Sequence, residues 1–295
     1  MLNLIHSILI PLSVMLASCA NEIVGNNQLG LVEGGQAVQD SEADEAGKPQ
    51  DQQALPLKID QLLDELEAGS KDLVGFKAKI SYRKYDDLTL DTQVRSGNIL
   101  YRVDPESGNK SFSLIFDRLI MNQRLDENVK HFVFDGRWLA EIDQERKQFI
   151  KRELVPPGKV LDPLKLGEGP IPLPIGQTKQ DVLKLFTVES IVPPQDEKKM
   201  LSRLTPDRVD GLRLIPRPGT READQYDHID LFYDKQSRLP VGIDAVELNG
   251  DTKTVWLRDL VKNPEFTPQM VGRFILTNPD PSKWKIDIQP WQGPN

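Results

Sequence analysis

Between Phe76 and Arg83, apolar Phe76, Ala78, Ile80 and Tyr82 alternate with Lys77, Lys79, Ser81 and Arg83. Successive side chains of an extended chain point to opposite faces, so this period builds a strand with one buried and one wet face. A helix cannot satisfy it. The period recurs in Gly97-Ile99-Tyr101-Val103, Phe112-Leu114-Phe116, Phe132-Phe134 and Trp138-Ala140-Ile142. Five more strands are read at 211–216, 226–233, 240–248, 252–261 and 284–288. Asp135-Gly136, Asp234 to Arg238 and Asn249-Gly250-Asp251 supply the residues that tight turns favour. About ten strands so joined make an antiparallel sheet that must curl, split or close. The expected fold class is therefore α+β, a strongly curved, unclosed half-barrel plugged by a few short helices.

The helices follow from the longer period. In residues 57–68, Ile59, Leu62, Leu63 and Leu66 share one face, with Asp60, Asp64, Glu65 and Glu67 largely opposite, and Gly69 marks the end. Residues 178–186 read as a short helix with Val182, Leu183 and Phe186 inward, and 194–204 as another. Between them and the first strands, Pro156, Pro157, Pro163, Pro170, Pro172 and Pro174 exclude a central strand over 155–175 and suggest a lid or strap. Pro193-Pro194 and Pro216 to Gly219 offer boundaries for a two-domain reading, but neither half has a complete helix cover for its strands. One domain over 57–291 is the expectation.

The first 56 residues carry a different message. Residues 1–18 are a mostly apolar stretch ending in small residues, as in an export signal, and Leu16-Ala17-Ser18-Cys19 matches the bacterial lipobox. Cys19, the only cysteine in the chain, is the expected lipidation site and excludes an intrachain disulfide. Ala20, rather than Asp, follows it. From Ala20 to Pro56 the chain carries Glu22, Glu33, Asp40, Glu42, Asp44, Glu45 and Asp51 against Lys48 alone. Residues 19–56 thus read as a lipidated cysteine and a disordered acidic tether, with a reach of roughly 35 Å. The expected location is the cell envelope, at the periplasmic face of the outer membrane, with the inner membrane as the alternative.

Several chemistries lose support at this stage. A formal charge of −8 leaves no cationic surplus for nucleic-acid phosphates. His6 falls in the leader, and His131 and His228 are too few for a histidine-rich metal centre. The sequence has no GxSxG elbow, GxxxxGK[ST] loop or HExxH pair, and Gly167-Glu168-Gly169 lies among prolines. His228 with Asp230 could act as a general base, and Asp230, Asp234, Asp244 and Glu247 could furnish a carboxylate pair, so a hydrolase is the more distant rival. No enzyme activity, cofactor or metal is expected.

The order of elements resembles the bacterial lipoprotein carriers LolA and LolB. It runs from an amphipathic helix and strand, through the Gly-led strand Ser96-Gly97-Asn98-Ile99-Leu100-Tyr101, to the hairpin on Phe134-Asp135-Gly136-Arg137-Trp138. The Pro-rich segment, mid-chain helix and closing meander follow in the same order. The resemblance implies an apolar cavity for acyl chains, or for a lipidated protein, lined by Phe76, Ile80, Ile99, Tyr101, Leu114, Phe116, Phe132, Phe134 and Trp138. It also implies that Leu125, between Arg124 and Asp126, is a protruding apolar residue as in the lipid-anchored acceptor. The chain departs from the pattern at Val103, where the soluble carrier has an arginine; alternation sends neighbouring Arg102 to the opposite face. The expected protein is a non-catalytic monomer held to the membrane by its lipid. A regulatory module of the same fold that binds a membrane partner is the main rival.

Overall fold

A computed structural model describes residues 57–126, 129–156, 158, 159, 163 and 175–292. The leader, Cys19, the tether and most of the Pro-rich segment lie outside the described residues. Helix α1 (Leu57–Ser70) precedes a first meander of β1 (Gly75–Tyr85), β2 (Thr92–Val103), β3 (Lys110–Met121), β4 (Arg124–Asp126), β5 (Lys130–Phe134), β6 (Trp138–Asp143) and β7 (Gln148–Glu153). Helix α2 (Lys179–Leu185) leads into a second, of β8 (Phe186–Ile191), β9 (Val209–Pro216), β10 (Tyr226–Asp234), β11 (Pro240–Glu247) and β12 (Thr252–Lys262). The short α3 (Pro268–Gly272) and β13 (Lys285–Gln289) finish the chain.

All thirteen strands form one sheet, in the order β13-β7-β6-β5-β3-β2-β1-β12-β11-β10-β9-β8, with β4 beside β3. The order ends at β13 and β8, so the sheet is not closed. Every pairing is antiparallel except β13 with β7. The two meanders are fused by β1 against β12, from Phe76 opposite Lys262 to Tyr85 opposite Thr252. Inward residues from β6 to β8 join α1 and α2 in one core that includes Leu139, Phe134, Phe76, Leu231 and Val188. A sheet this wide can share one core only by curling around it. Helix α1 supplies Ile59, Leu62 and Leu63, all buried, on the face that its 3.6-residue period predicts.

The expected strands are present, and β4, β7 and β8 are additional to them. The helix expected over 194–204 is not: only a 3₁₀ turn forms, Met200–Arg203. Its Leu201, with Leu204, packs on Phe232 of the outer face. Proline pairs cannot donate to a helix ladder, and Asp196 turns the chain by accepting from the Lys198 amide, 3.0 Å away.

Residues 263–284 return across the outer face of the first meander. Phe266 seats where Gly75 leaves room for it, with the Arg102 guanidinium 6.0 Å from its ring centre. Phe274 is buried, as are Leu100, Val133 and Ala140 on the same outer face. Both faces of this half are therefore packed, the inner by α1 and α2 and the outer by the chain's own C-terminal segment.

Candidate functional site

The structure brings Phe76, Ile80, Ile99, Tyr101, Leu114, Phe116, Phe132 and Phe134 together on the inner face, all at most 6% exposed. Their rings meet one another: Phe76 stacks on Tyr101 at 5.4 Å, Phe112 on Phe134 at 5.7 Å, and Phe116 meets Phe132 edge-on at 6.3 Å. This part of the face is a packed aromatic wall. Trp138 does not join it. Phe134 pairs with Leu139, so Trp138 turns to the outer face, where Lys151 lies 4.7 Å from its ring centre.

The same register turns Glu141 and Asp143 inward, opposite Phe132 and Lys130. Lys130 Nζ donates to Glu141 at 2.5 Å and lies 3.7 Å from Asp143, and Arg95 completes a buried charge cluster at this end of the aromatic wall. Burial lowers the Arg95 pKa, against the pull of Glu141, Tyr82 and Asp143. The Arg95 Nη1 atom has no hydrogen-bond partner. These groups were invisible to an apolar alternation count because Glu141 and Asp143 read as the wet side of β6.

A small gap lies elsewhere on the inner face, in the seam between α1, α2 and strands β9 to β11. It measures about 30 Å³ and is lined by Leu63, Leu66, Val182, Leu212, Leu214 and Leu231, with Tyr233 and Leu239 nearby. That volume admits about one water. Burial raises the Tyr233 pKa, consistent with an apolar interior.

The rim of this seam is ionic. Lys179 Nζ reaches Asp60 at 2.7 Å and Asp64 at 3.0 Å, and its backbone N–H donates to Glu67 at 2.9 Å. Arg238 spans Glu65 at 2.5 Å and Asp210 at 2.7 Å, and Lys262 donates to the Gly69 carbonyl at 2.8 Å. The more exposed of these pairs, Lys179 with Asp60 and Asp64, each contribute about 0–1 kcal/mol, while Arg238 with Asp210 is more enclosed. Helix α1 is thus tied by ion pairs at its rim, over an apolar interior that also holds its Ile59, Leu62 and Leu63. Lys179 and Arg238 carry no sequence signal beyond their charge, because their partners are remote in the chain.

Leu125 is 60% exposed on β4, paired with Ile120. The neighbouring β1–β2 turn shows Leu88 and Leu90, 92% and 69% exposed, and is tied to the β3–β4 turn by Asn122 Nδ2 donating to Asp91 at 2.7 Å. Arg102 points to the outer face, as alternation requires, and pairs with Asp104 at 3.3 Å.

Of the hydrolase candidates, His228, Asp230 and Asp244 come together on the outer face, while Asp234 and Glu247 are engaged elsewhere. His228 Nδ1 bonds Asp227 at 2.6 Å, while its Nε2 is 3.9 Å from Asp230, whose carboxylate is held by both arms of Arg213 at 2.7 and 2.8 Å. Asp234 caps the β10–β11 turn, and Glu247 pairs with Lys253. Asp230 and Asp244 are cross-strand neighbours on the outer face. Among the described residues, no group of three or more His, Cys, Asp or Glu is placed to hold a metal, and no helix is long and apolar enough to cross a membrane.

His131 is the other titratable group of note. Its Nε2 lies 2.8 Å from the Ser113 hydroxyl on the outer face, and burial, with Arg273 nearby, lowers its pKa to about 4. The folded state therefore prefers neutral imidazole, and the stability this gives is complete above pH 6.5 and declines as pH falls toward 4. Urea unfolding at pH 5 should show a protein about 2 kcal/mol weaker from this group than at pH 7. His131→Asn, which keeps a polar partner for Ser113, should remove that portion of the pH dependence. An identical dependence in the variant would assign it to other groups.

No protein-family model matches the chain, and no curated protein does. Similar solved structures include the Pseudomonas aeruginosa MucA/MucB complex, at 13% identity over 72% of this chain and a TM-score of 0.42. This chain spans 60% of the length of that one. A putative outer membrane lipoprotein-sorting protein domain from Vibrio parahaemolyticus matches at 10% identity, 71% and 94% coverage and a TM-score of 0.28. An uncharacterized conserved protein from Thermus thermophilus matches at 8% identity, 79% and 99% coverage and a TM-score of 0.40.

Proposed function

We propose that this protein is a non-catalytic binder of acyl chains, or of a lipid-bearing protein, anchored to the cell envelope through Cys19. The observation that carries the proposal is the seam under α1: an apolar inner face whose helical cover is fastened at its rim by Lys179 and Arg238 ion pairs. A chain of methylenes gains about 0.8 kcal/mol for each CH₂ taken from water. Lifting α1 also uncovers Ile59, Leu62 and Leu63, so the ligand's methylenes must replace that burial as well as outweigh the rim pairs, and ligand entry and the lifting of α1 are one event. The closed seam is then the unliganded state. The carrier resemblance of the motifs around Gly97 and Gly136 supports the same class of ligand. The exposed Leu88, Leu90 and Leu125 form the end suited to meet a membrane.

A fluorescent fatty acid titrated into the full chain should bind saturably. Leu66→Lys places an ammonium at the partly buried edge of the seam and should weaken binding at least tenfold, with melting nearly unchanged. Absence of saturable binding to the folded wild type, or equal binding by the variant, would refute the seam as the acyl site.

A further inference from the structure

The outer face of the second meander carries a separate cleft. It is an open cleft of about 490 Å³, a size within the range of roughly 300–1,000 Å³ typical of small-molecule sites. Its floor is apolar: Phe232, 1% exposed, lies flat between Gly211 and Gly242, where a Cβ at either would fall 3.0 or 3.2 Å from its ring, and Leu201 packs beside it. Val192, 68% exposed, stands at the lip. Along one side runs a charged row set by register, Arg213 opposite Asp230 and Asp230 opposite Asp244.

The row is not electrically complete. Arg213 and Asp230 satisfy each other through two hydrogen bonds. Asp244 forms no ion pair among the described residues: its Oδ1 accepts from the Thr254 hydroxyl at 2.7 Å, and Lys199 acts on it only from a distance. Lys199, on the opposite wall, has no carboxylate; neither residue takes part in an ion pair among the described residues. An unpaired carboxyl and an unpaired ammonium thus line one cleft without closing on each other. The groups acting on Asp244 are Thr254, Lys199, Asp230 and His228, and burial is the largest influence, raising its pKa.

We infer that this cleft binds a small zwitterion of the amino-acid type, its ammonium on Asp244, its carboxylate toward Lys199, and an apolar side chain against Ile191 and Val192 above the Phe232 floor. A simple amine would leave Lys199 unpaired, and a simple acid would leave Asp244 so. A zwitterion with a branched apolar tail answers both charges and the floor. The site lies on the opposite face from the α1 seam and does not rest on the acyl-binding reading.

Calorimetry on the full chain with L-leucine, its decarboxylated analogue 3-methylbutylamine and its deaminated analogue 4-methylpentanoate tests this. L-leucine should bind saturably, and each analogue at least tenfold more weakly. Asp244→Asn and Lys199→Met should each cost at least tenfold, while Glu106→Gln, in the exposed β2–β3 turn of the other meander, should leave binding unchanged. Lys199 is a surface side chain, so its variant keeps the test open if Asp244→Asn does not fold. No saturable binding of L-leucine up to about 10 mM, or equal binding by either analogue or by Lys199→Met, would overturn the inference.

Discussion

Gly97→Ala should destabilise the protein by on the order of 3 kcal/mol or more, among the largest effects available to a single added methyl group. Gly97 sits on β2 at a register shift, opposite Phe116, and a Cβ there would lie 1.8 Å from the Ile115 carbonyl oxygen and 2.8 Å from the Phe116 Cα. Both obstacles are backbone atoms of β3, so no rotamer relieves the clash and the strands must part. Gly108→Ala is the informative control. That glycine has open space around it but a φ of +71°, so its cost is conformational, about 1 kcal/mol. Urea unfolding of the two variants should separate them clearly. Similar midpoints would mean that β3 yields at this point.

Phe132→Asp should leave no folded protein at room temperature. Phe132 is 6% exposed, stands between Leu114 on β3 and Glu141 on β6, and holds Phe116 in an edge contact. An aspartate there loses the ring's burial, desolvates a charge and faces a carboxylate across the strand pair; together these cost several kcal/mol, comparable to the whole stability of a domain. Phe132→Leu should cost only about 1–2 kcal/mol and fold. Circular dichroism during melting distinguishes these outcomes. A folded Phe132→Asp that has lost only fatty-acid binding would mean that this wall faces a ligand and not a packed interior.

The strands were legible wherever alternation was strict. Strand β1, with lysines and Arg83 facing out, declares itself, and so do the meander strands bounded by Asp234 and by Asn249-Gly250. Strand β8 was hidden because it follows α2 with no intervening turn signal: Phe186 both caps the helix and opens the strand. Strand β4 is only three residues long and exposed throughout. The error at Trp138 is instructive. Strand β6 is apolar on the side of Trp138, Ala140 and Ile142, and period alone assigns that side to the core. The turn at Asp135 decides otherwise by accepting from the Arg137 and Trp138 amides at 3.0 and 2.7 Å, which places Leu139 opposite Phe134. The apolar outer side is then covered by residues 263–284, a segment with too little periodicity to announce its role. The rim of the α1 seam is non-local too, since Lys179 meets Asp64 across 115 positions of sequence and Arg238 meets Asp210 across 28. Composition supplies such charges, and only topology pairs them.

The fusion of β1 to β12 sets a condition on synthesis. Arg258 meets Ser81 from 177 positions downstream, so the first meander leaves the ribosome with its β1 edge unpartnered. At roughly 5–20 residues per second, that edge waits about 10–35 s for the strand that completes it. A bare strand edge is a template for pairing with any other chain, and cationic side chains are the usual protection. Lys77, Lys79, Arg83 and Lys84 lie along this strand. Lys79 goes on to pair with Asp259 of β12 at 2.8 Å, and until that strand arrives the four charges keep nascent copies of the protein apart while each is half a sheet.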